Sequence, residues 1–521
     1  MIKTENKNLL KNLKLILILS LTITFLHNFR LFAQNEIIPK SNYYLDSISI
    51  YHLKDTDSLL VLNNLKQVNT LGLYDFLEIV KYYHPISKSS KLINTLAENN
   101  LLKAKGGFDP KLFSYYEGKA FDKKNYFDIS NSGISIPTYP GLDIKLGVET
   151  ARGQFVDGQN TVPPNGLAYL GVTLPVGQGL FIDKRRNDLL KAELMTEAAE
   201  FDRQNAVNEL LIDALYSYFD WIKSWKIIKV LEKAKNNALV RHRGIVQNYL
   251  VGDEPAIDTV ETFIQFQTLE LNYLNSINTY QNAILDLNNY LWFEDKPIVI
   301  NFETIPDTTI HQDQVLDKEF LNYFNQIAGT NKDSLIVNHP EIMQYNYKIK
   351  SLNLDLELYE DRLKPQLNLK YNVLNEYLDW DGLNTQVGYL RNNYKAGLEF
   401  NFPIFLRKER GDIDATETKI KESELSLTNK ILNLKNKITQ ELNNLQILKQ
   451  NFVLSQQIRD NYGKLLNAEE VKFGLGESSI FLINSREIKL LESELKLIES
   501  DIKSALQYFK YLYVNGILYQ L

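Results

Sequence analysis

Six histidines, at positions 27, 52, 84, 242, 311 and 339, are the side chains of this 521-residue chain best suited to proton transfer or metal ligation near neutral pH. None has the His-x-x-x-His spacing that sets two imidazoles on one helical face. There is no cysteine, which excludes disulfides, thiolate metal sites, cysteine nucleophiles and a lipid anchor through a terminal cysteine. Methionine occurs only as Met1, Met195 and Met343, too few for a thioether path for soft metals. The glycines form no phosphate-cradling cluster. The basic triplet Arg241-His242-Arg243 falls on a long polar–apolar helix, where a solvated face is its expected role. A net charge of −6 with 23% charged residues offers no basic surface to nucleic acid. No catalytic, cofactor-binding or metal-binding residue is therefore expected, and the chain does not read as an enzyme.

Two of the histidines instead expose a duplication. His84-Pro85 recurs as His339-Pro340, 255 positions later, and Pro110 recurs as Pro365 at the same offset. Arg186 and Gly252 recur as Arg410 and Gly476, both offset by 224, so each copy holds a 66-residue interval between its arginine and its glycine. A helix of that length runs ~100 Å. Two such rods, each fed by strands, describe two copies of one supersecondary unit packed side by side.

The remaining elements follow from periodicity. A helix is expected over 71–106, kinked or restarted at Pro85. Long helices are expected over 184–250 and 408–474, with returning helices over 256–292 and 480–514 and a further one over 338–362. The shorter helices, stacked end to end, match each long rod in length. Ile413, Ile420, Leu427 and Leu434 repeat every seven residues, as do Ile431, Ile438, Leu445 and Phe452, which predicts two coiled-coil seams for two neighbours. Period-two alternation marks strands near 112–120, 142–148, 167–174, 367–373 and 394–402. Leu367, Leu369, Tyr371 and Val373 face one way and Asn368, Lys370 and Asn372 the other. Such a strand fits a soluble sandwich or a barrel with lipid outside and water inside; unpaired lysines and glutamates favour the second. Tyr115, Tyr116, Tyr371, Tyr377 and Tyr394 fit either an interfacial girdle or strand cores. The first copy carries 27 extra residues around 123–150, readable as a long loop or as a further hairpin. At the N-terminus, four lysines, an apolar run of about a dozen residues and Leu31-Phe32-Ala33 before Gln34 read as a signal peptide over 1–33. The run is short of the ~20 residues of a spanning helix. The organisation expected is thus the signal peptide, an arm over 34–70, repeat one over 71–292, a connecting segment over 293–336 with a helix at 316–328 that wraps the rods midway, and repeat two with a short tail over 337–521.

This ordered set, twice over, resembles the TolC-like outer-membrane efflux channels across residues 70–515. The resemblance rests on a proline near a helix start, a strand pair, Leu174-Pro175 or Phe402-Pro403 leading into a long helix, and a glycine-bearing tip, Tyr249-Leu250-Val251-Gly252 or Lys472-Phe473-Gly474-Leu475-Gly476. It implies a mainly α fold with a β-barrel portion. Duplicated long-helix hairpins would form a trimeric α-barrel, and about four strands per subunit would enter a shared 12-stranded transmembrane barrel in outer-membrane lipid. The function implied is a passive outer-membrane exit duct of a tripartite efflux or type I secretion system, extending into the periplasm. Its partners would be a periplasmic adaptor and an inner-membrane pump. An exported structural coiled coil without a pore is the alternative.

The resemblance also nominates residues. Val251, Gly252, Leu475 and Gly476 would be adaptor-docking tips. Where the family gate joins an acid to a tyrosine and an arginine, this chain has Asp258, Phe473 and Ser478, so the acid lacks those partners unless Lys472 or Arg243 substitutes. The acidic ring of some family pores would fall at Leu482 and Ser485, neither of which is acidic. The histidine of each His-Pro replaces a family asparagine and is expected to start a helix.

Overall fold

The computed structural model of the chain describes residues 70–300, 302, 304–307, 326, 332–376 and 393–521, all within one compact unit, Leu65–Leu521. The expected signal peptide over 1–33, the expected arm before Thr70, the helix expected over 316–328 (Gln326 apart) and Tyr377 lie outside the described residues.

In chain order, strand β1 (Thr70–Leu71) precedes helices α1 (Leu73–Tyr83) and α2 (Pro85–Lys105). Strands β2 (Lys111–Phe121), β3 (Lys124–Pro137), β4 (Asp143–Arg152) and β5 (Leu167–Pro175) follow, then α3 (Lys184–Leu250) and α4 (Ala256–Asn288). Short strands β6 (Trp292–Phe293), β7 (Lys296–Pro297) and β8 (Ile305–Pro306) lead to α5 (Lys332–Val337) and α6 (Pro340–Asp361). The second copy continues with β9 (Gln366–Glu376), β10 (Tyr394–Asn401), α7 (Arg407–Gly474) and α8 (Ile480–Val514).

The expected helix over 71–106 is two helices, and the break is chemical. The residue before a proline is driven out of the helical region, and His84 is extended at φ −63°, ψ 136°. Its Nδ1 accepts a hydrogen bond from the Ile86 N–H at 3.2 Å, with Pro85 at the first helical position. His339 repeats the arrangement, accepting from the Glu341 N–H at 3.2 Å ahead of Pro340. An imidazole thus takes the capping role usually held by Ser, Asp or Asn. Both caps mark junctions between stacked half-rods. His84, opening α2, stacks on Tyr290 just past the end of α4 at 5.9 Å. His339, opening α6, lies against Gly516 just past the end of α8.

The long helices are therefore sheathed by shorter ones, α3 by four and α7 by two. α3, of 67 residues, packs against α2 and α4 on one flank and α6 and α8 on the other; α7, of 68 residues, lines the far side of α6 and α8. The α7 seam differs from expectation. Leu434 and Ile438 are buried, Leu427 and Leu445 pack on the core, and small Thr416 and Ser423 are also buried. The two expected runs are one continuous seam. It crosses from α6, where Lys430 meets Glu341 at 2.7 Å, to α8, where Gln507 donates to the Glu441 carbonyl at 3.0 Å.

The core lies midway along the rods. Phe76 of α1 stacks on Tyr218 of α3 at 5.0 Å, beside fully buried Trp221, Phe219, Phe509 and Leu287. β1 and β8 pair in parallel there. The Tyr218 hydroxyl donates to the Leu71 carbonyl at 2.9 Å and the Tyr280 hydroxyl to the Thr304 carbonyl at 3.0 Å.

At one end stands an antiparallel six-stranded sheet in the order β10-β9-β5-β4-β3-β2. About four strands were expected per chain; the extra residues near 123–150 form β3 and most of β4, so that the first copy gains a further hairpin, β2–β3. Its turn, Asp122-Lys123, has φ 51° and 57°, the type I′ geometry that matches strand twist.

The histidine caps carry a pH signature. Burial pushes the His84 imidazole below its usual range, against a hydrogen bond to the Asn289 backbone. Burial does the same to His339, against the nearby Glu341 carboxylate. A folded pKa below the unfolded value near 6.5 means that the stabilisation is complete above about pH 6.5 and is lost as pH falls through the lowered value. The wild type should thus lose more of its thermal midpoint between pH 8 and pH 5 than the double variant His84→Asn with His339→Asn, whose caps do not titrate. Equal losses would show that the imidazoles do not cap as neutral acceptors.

Candidate functional site at the helical tips and the sheet

The tips farthest from the sheet are built by the same backbone device. α3 ends where the Gly252 N–H reaches the Tyr249 carbonyl at 3.0 Å and the Asp253 N–H the Asn248 carbonyl at 2.9 Å. α7 ends with Gly476 N–H to Phe473 at 2.9 Å and Glu477 N–H to Lys472 at 2.9 Å. This is the Schellman pair, which needs a left-handed residue, and Gly252 and Gly476 have φ +89° and +76°. Open space surrounds both glycines. The preceding residues present matching apolar side chains, Val251 at 72% and Leu475 at 71% exposure.

Asp258 lies in the first turn of α4. Among the described residues it makes no hydrogen bond to Phe473 or Ser478. It stands beside Glu254, whose carboxyl is pushed up by partial burial and then by Asp258 and Asp253. Ser478 donates to Glu469 at 2.6 Å within its own hairpin. That bond and Arg486, at 3.5 Å, hold the Glu469 carboxyl below its usual range. Phe473 and Ser485 are half-buried and Leu482 is exposed.

The cross-link between the two hairpins is made elsewhere, by Arg241. It is not solvated, as its helix pattern suggested: its side chain is 18% exposed. It donates to Glu487 of α8 at 2.5 Å and lies 3.6 Å from Glu470 of α7. Asn484 of α8 donates to Glu261 of α4 at 3.2 Å, and His242 meets Thr262 at 3.0 Å. A sequence signal existed for two of these pairs. Arg241 precedes Gly252 by 11 residues and Glu487 follows Gly476 by 11; His242 and Thr262 flank Gly252 at 10 on either side. Positions equidistant from a tip stand at one height on antiparallel helices.

The sheet has two chemically distinct faces. One carries Lys145, Glu149, Lys370, Lys395 and Glu399, with Lys370 paired to Glu399 at 2.6 Å and Lys395 to Glu149 at 3.7 Å. Tyr169 is buried on this face and donates to Asn131 at 3.0 Å. The other face is apolar and uncovered, with Leu398 and Phe400 each 66% exposed. Tyr371 and Tyr394 stack there at 5.8 Å; Tyr116 shares that face, and Tyr115 lies on the polar one. From the helix-side end, the unbroken apolar run covers four outward residues on β10, β9 and β5, three on β4, two on β3 and one on β2.

Solved structures share this arrangement. The outer-membrane channel CmeC of Campylobacter jejuni superposes with a TM-score of 0.59 at 13% identity, covering 93% of this chain and 94% of that one. The outer-membrane protein VceC of Vibrio cholerae gives 0.58 at 12% identity, over 85% and 96%. The open-state outer-membrane channel MtrE of Neisseria gonorrhoeae gives 0.58 at 11% identity, over 85% and 88%. The fold is that of the TolC-like channels. No family model and no curated protein sequence matches the chain. Among the described residues, the chain has no helix long and apolar enough to cross a membrane, which says nothing of a barrel. The same residues hold no group of three or more His, Asp or Glu placed for a metal ion.

Arg241 should hold the two tips together. A charge-assisted hydrogen bond contributes ~2 kcal/mol, and Arg241→Ala also leaves Glu487, 16% exposed, without its cation. Amide exchange should accelerate across 241–262 and 470–487 and stay unchanged around Tyr218. Unchanged exchange at the tips would assign the cross-link to other residues.

Proposed function

We propose that the chain is a passive outer-membrane exit duct that extends into the periplasm. The observation that carries this reading is the two-faced sheet, apolar outside and ion-paired inside, continuous with helical rods of ~100 Å. An exported coiled coil without a pore would have no use for an uncovered apolar sheet face. Residues 1–33 would direct export. Residues 71–292 and 337–521 would be the duplicated halves, and 293–336 the belt between them.

A single copy leaves the sheet open at β10 and β2, and an open edge is prohibitive in lipid. It also leaves the outer flanks of its helices uncovered. Exposed Ile264, Leu271 and Leu285 of α4 lie at sevenfold spacings. So do Leu425 and Leu432, and Ile447 and Leu454, on α7. These ladders suit coiled-coil packing of one copy against the next, and cyclic closure of identical copies supplies it. We assign the closed assembly three copies, the number the resemblance implies. The tips, with Val251, Gly252, Leu475 and Gly476, would dock a periplasmic adaptor that links the duct to an inner-membrane pump. The energy would come from the pump. Arg241 with Glu487 and Glu470 would hold the periplasmic end closed, in place of an Asp258 contact to Phe473 and Ser478. Leu482 and Ser485 supply no carboxylate ring to attract cations.

Purified in mild detergent, the protein should have the mass of three chains after subtraction of the micelle; a stable folded monomer would overturn the assembly. In planar bilayers, Arg241→Ala should raise resting conductance several-fold, and Asp258→Ala should leave it nearly unchanged. The reverse ranking would return the gate to Asp258. Gly252→Trp with Gly476→Trp should abolish export and leave the trimer intact; normal export by that variant would remove the tips from the docking surface.

A further inference from the structure

The β2–β3 hairpin does not share the sheet's lipid-compatible face. The unbroken outward apolar run tapers from four residues on β10, β9 and β5 to three on β4, two on β3 and one on β2. Beyond Leu112 and Ile134 the outward positions become polar and bond among themselves. Ser114 meets Ser132, Ser130 meets Thr150 and Tyr116 donates to Asp128, each at 2.7 Å. The inward face of the same hairpin is mixed, with Glu117, Lys119 and Asn131 among Phe113, Phe127 and Ile129, so neither face is continuously apolar. A wall strand needs one apolar face, and a charge on the lipid side is unfavourable. β3 pairs with β4 from Asp128↔Arg152 to Pro137↔Asp143, so the hairpin stands at the height of the wall. At that height the only water is inside the bore.

Resting on the duct reading above, we propose that the β2–β3 hairpin is an element of the bore and not of the wall. The wall is then β4, β5, β9 and β10, four strands per copy. β10 of one copy pairs with β4 of the next, on the edge that β3 occupies in the single chain. The released hairpin turns about the 138–142 segment, where Gly141 sits at φ +88°, and lies along the polar inner face. There it narrows the channel at its outer-membrane end. Strand exchange of this kind replaces one set of ladder hydrogen bonds by another. It covers an apolar edge that a polar hairpin cannot present to lipid.

The absence of cysteine makes the test clean. Ala396→Cys on β10 is paired with Leu146→Cys on β4 or with Leu112→Cys on β2, and an oxidant is applied to the full-length protein in membranes. The β10–β4 pair should give covalently linked chains on a denaturing gel and the β10–β2 pair none. Linking through β2 alone would overturn the proposal and place six strands per copy in the wall. Linking through neither pair in an assembly that still has the mass of three chains would also overturn it, because β10 would then not close on β4. A monomer in detergent would instead overturn the duct reading. In bilayers, a water-soluble cationic thiol reagent should lower the single-channel conductance of Ser130→Cys by at least a third and leave Leu398→Cys unchanged. An unaltered Ser130→Cys channel that is labelled only by a lipid-soluble maleimide would put the hairpin in the wall.

Discussion

A helix of 67 residues has no interior, and α3 is stable only because it is covered along its full length on two flanks. Propensity cannot hold such a rod; the lateral packing of its apolar stripes does. The chain meets this constraint by stacking shorter helices in series, α4 with α2 and α8 with α6, so each junction falls midway along a rod. The junctions would be weak points, with helix ends exposing unpaired N–H groups. His84 and His339 each satisfy one of those groups. The aromatic core around Trp221 and Phe509 and the β1–β8 pairing surround the same level.

Both ends of the molecule follow from that sheathing. At the sheet end, short connections after α2 and α6 and before α3 and α7 send strands up from neighbouring rods, so that β5 of the first copy lies beside β9 of the second. Asp183 fastens the start of α3, accepting from the Arg186 N–H at 2.9 Å, while Arg185 reaches Asp143 of β4 at 3.0 Å. At the other end, four helices converge on two glycine turns of the same geometry, and polar pairs replace the aromatic core.

The helices were legible in the sequence because their ends carry backbone chemistry that only certain residues supply. The α3 bounds match the expected range, and α7 begins one residue earlier than expected. The strands were legible where one face is apolar, as on β9 and β10. β3 was not, because Ser130, Asn131, Ser132 and Gly133 break the alternation, and its turn uses Asp122-Lys123 without the glycine that usually signals such a bend. The seam on α7 was misread as two because its neighbour changes from α6 to α8 partway along. At the tips, the glycine turns could be located from spacing alone. The Arg241–Glu487 pair could not be found from residue types, since an arginine amid polar neighbours looks solvated until the helix opposite is known.

The equal distances of Arg241 and Glu487 from their tip glycines make the molecule a matched pair of rulers. One heptad added to α3 alone would displace its tip by ~10 Å and slide Arg241 past its acceptor. The same addition to α3, α4, α7 and α8 together would preserve every cross-strut and lengthen the whole. The reach of this structure is thus quantised in coordinated steps, and its overall length is written in helix length, independently of which side chains fill the seams.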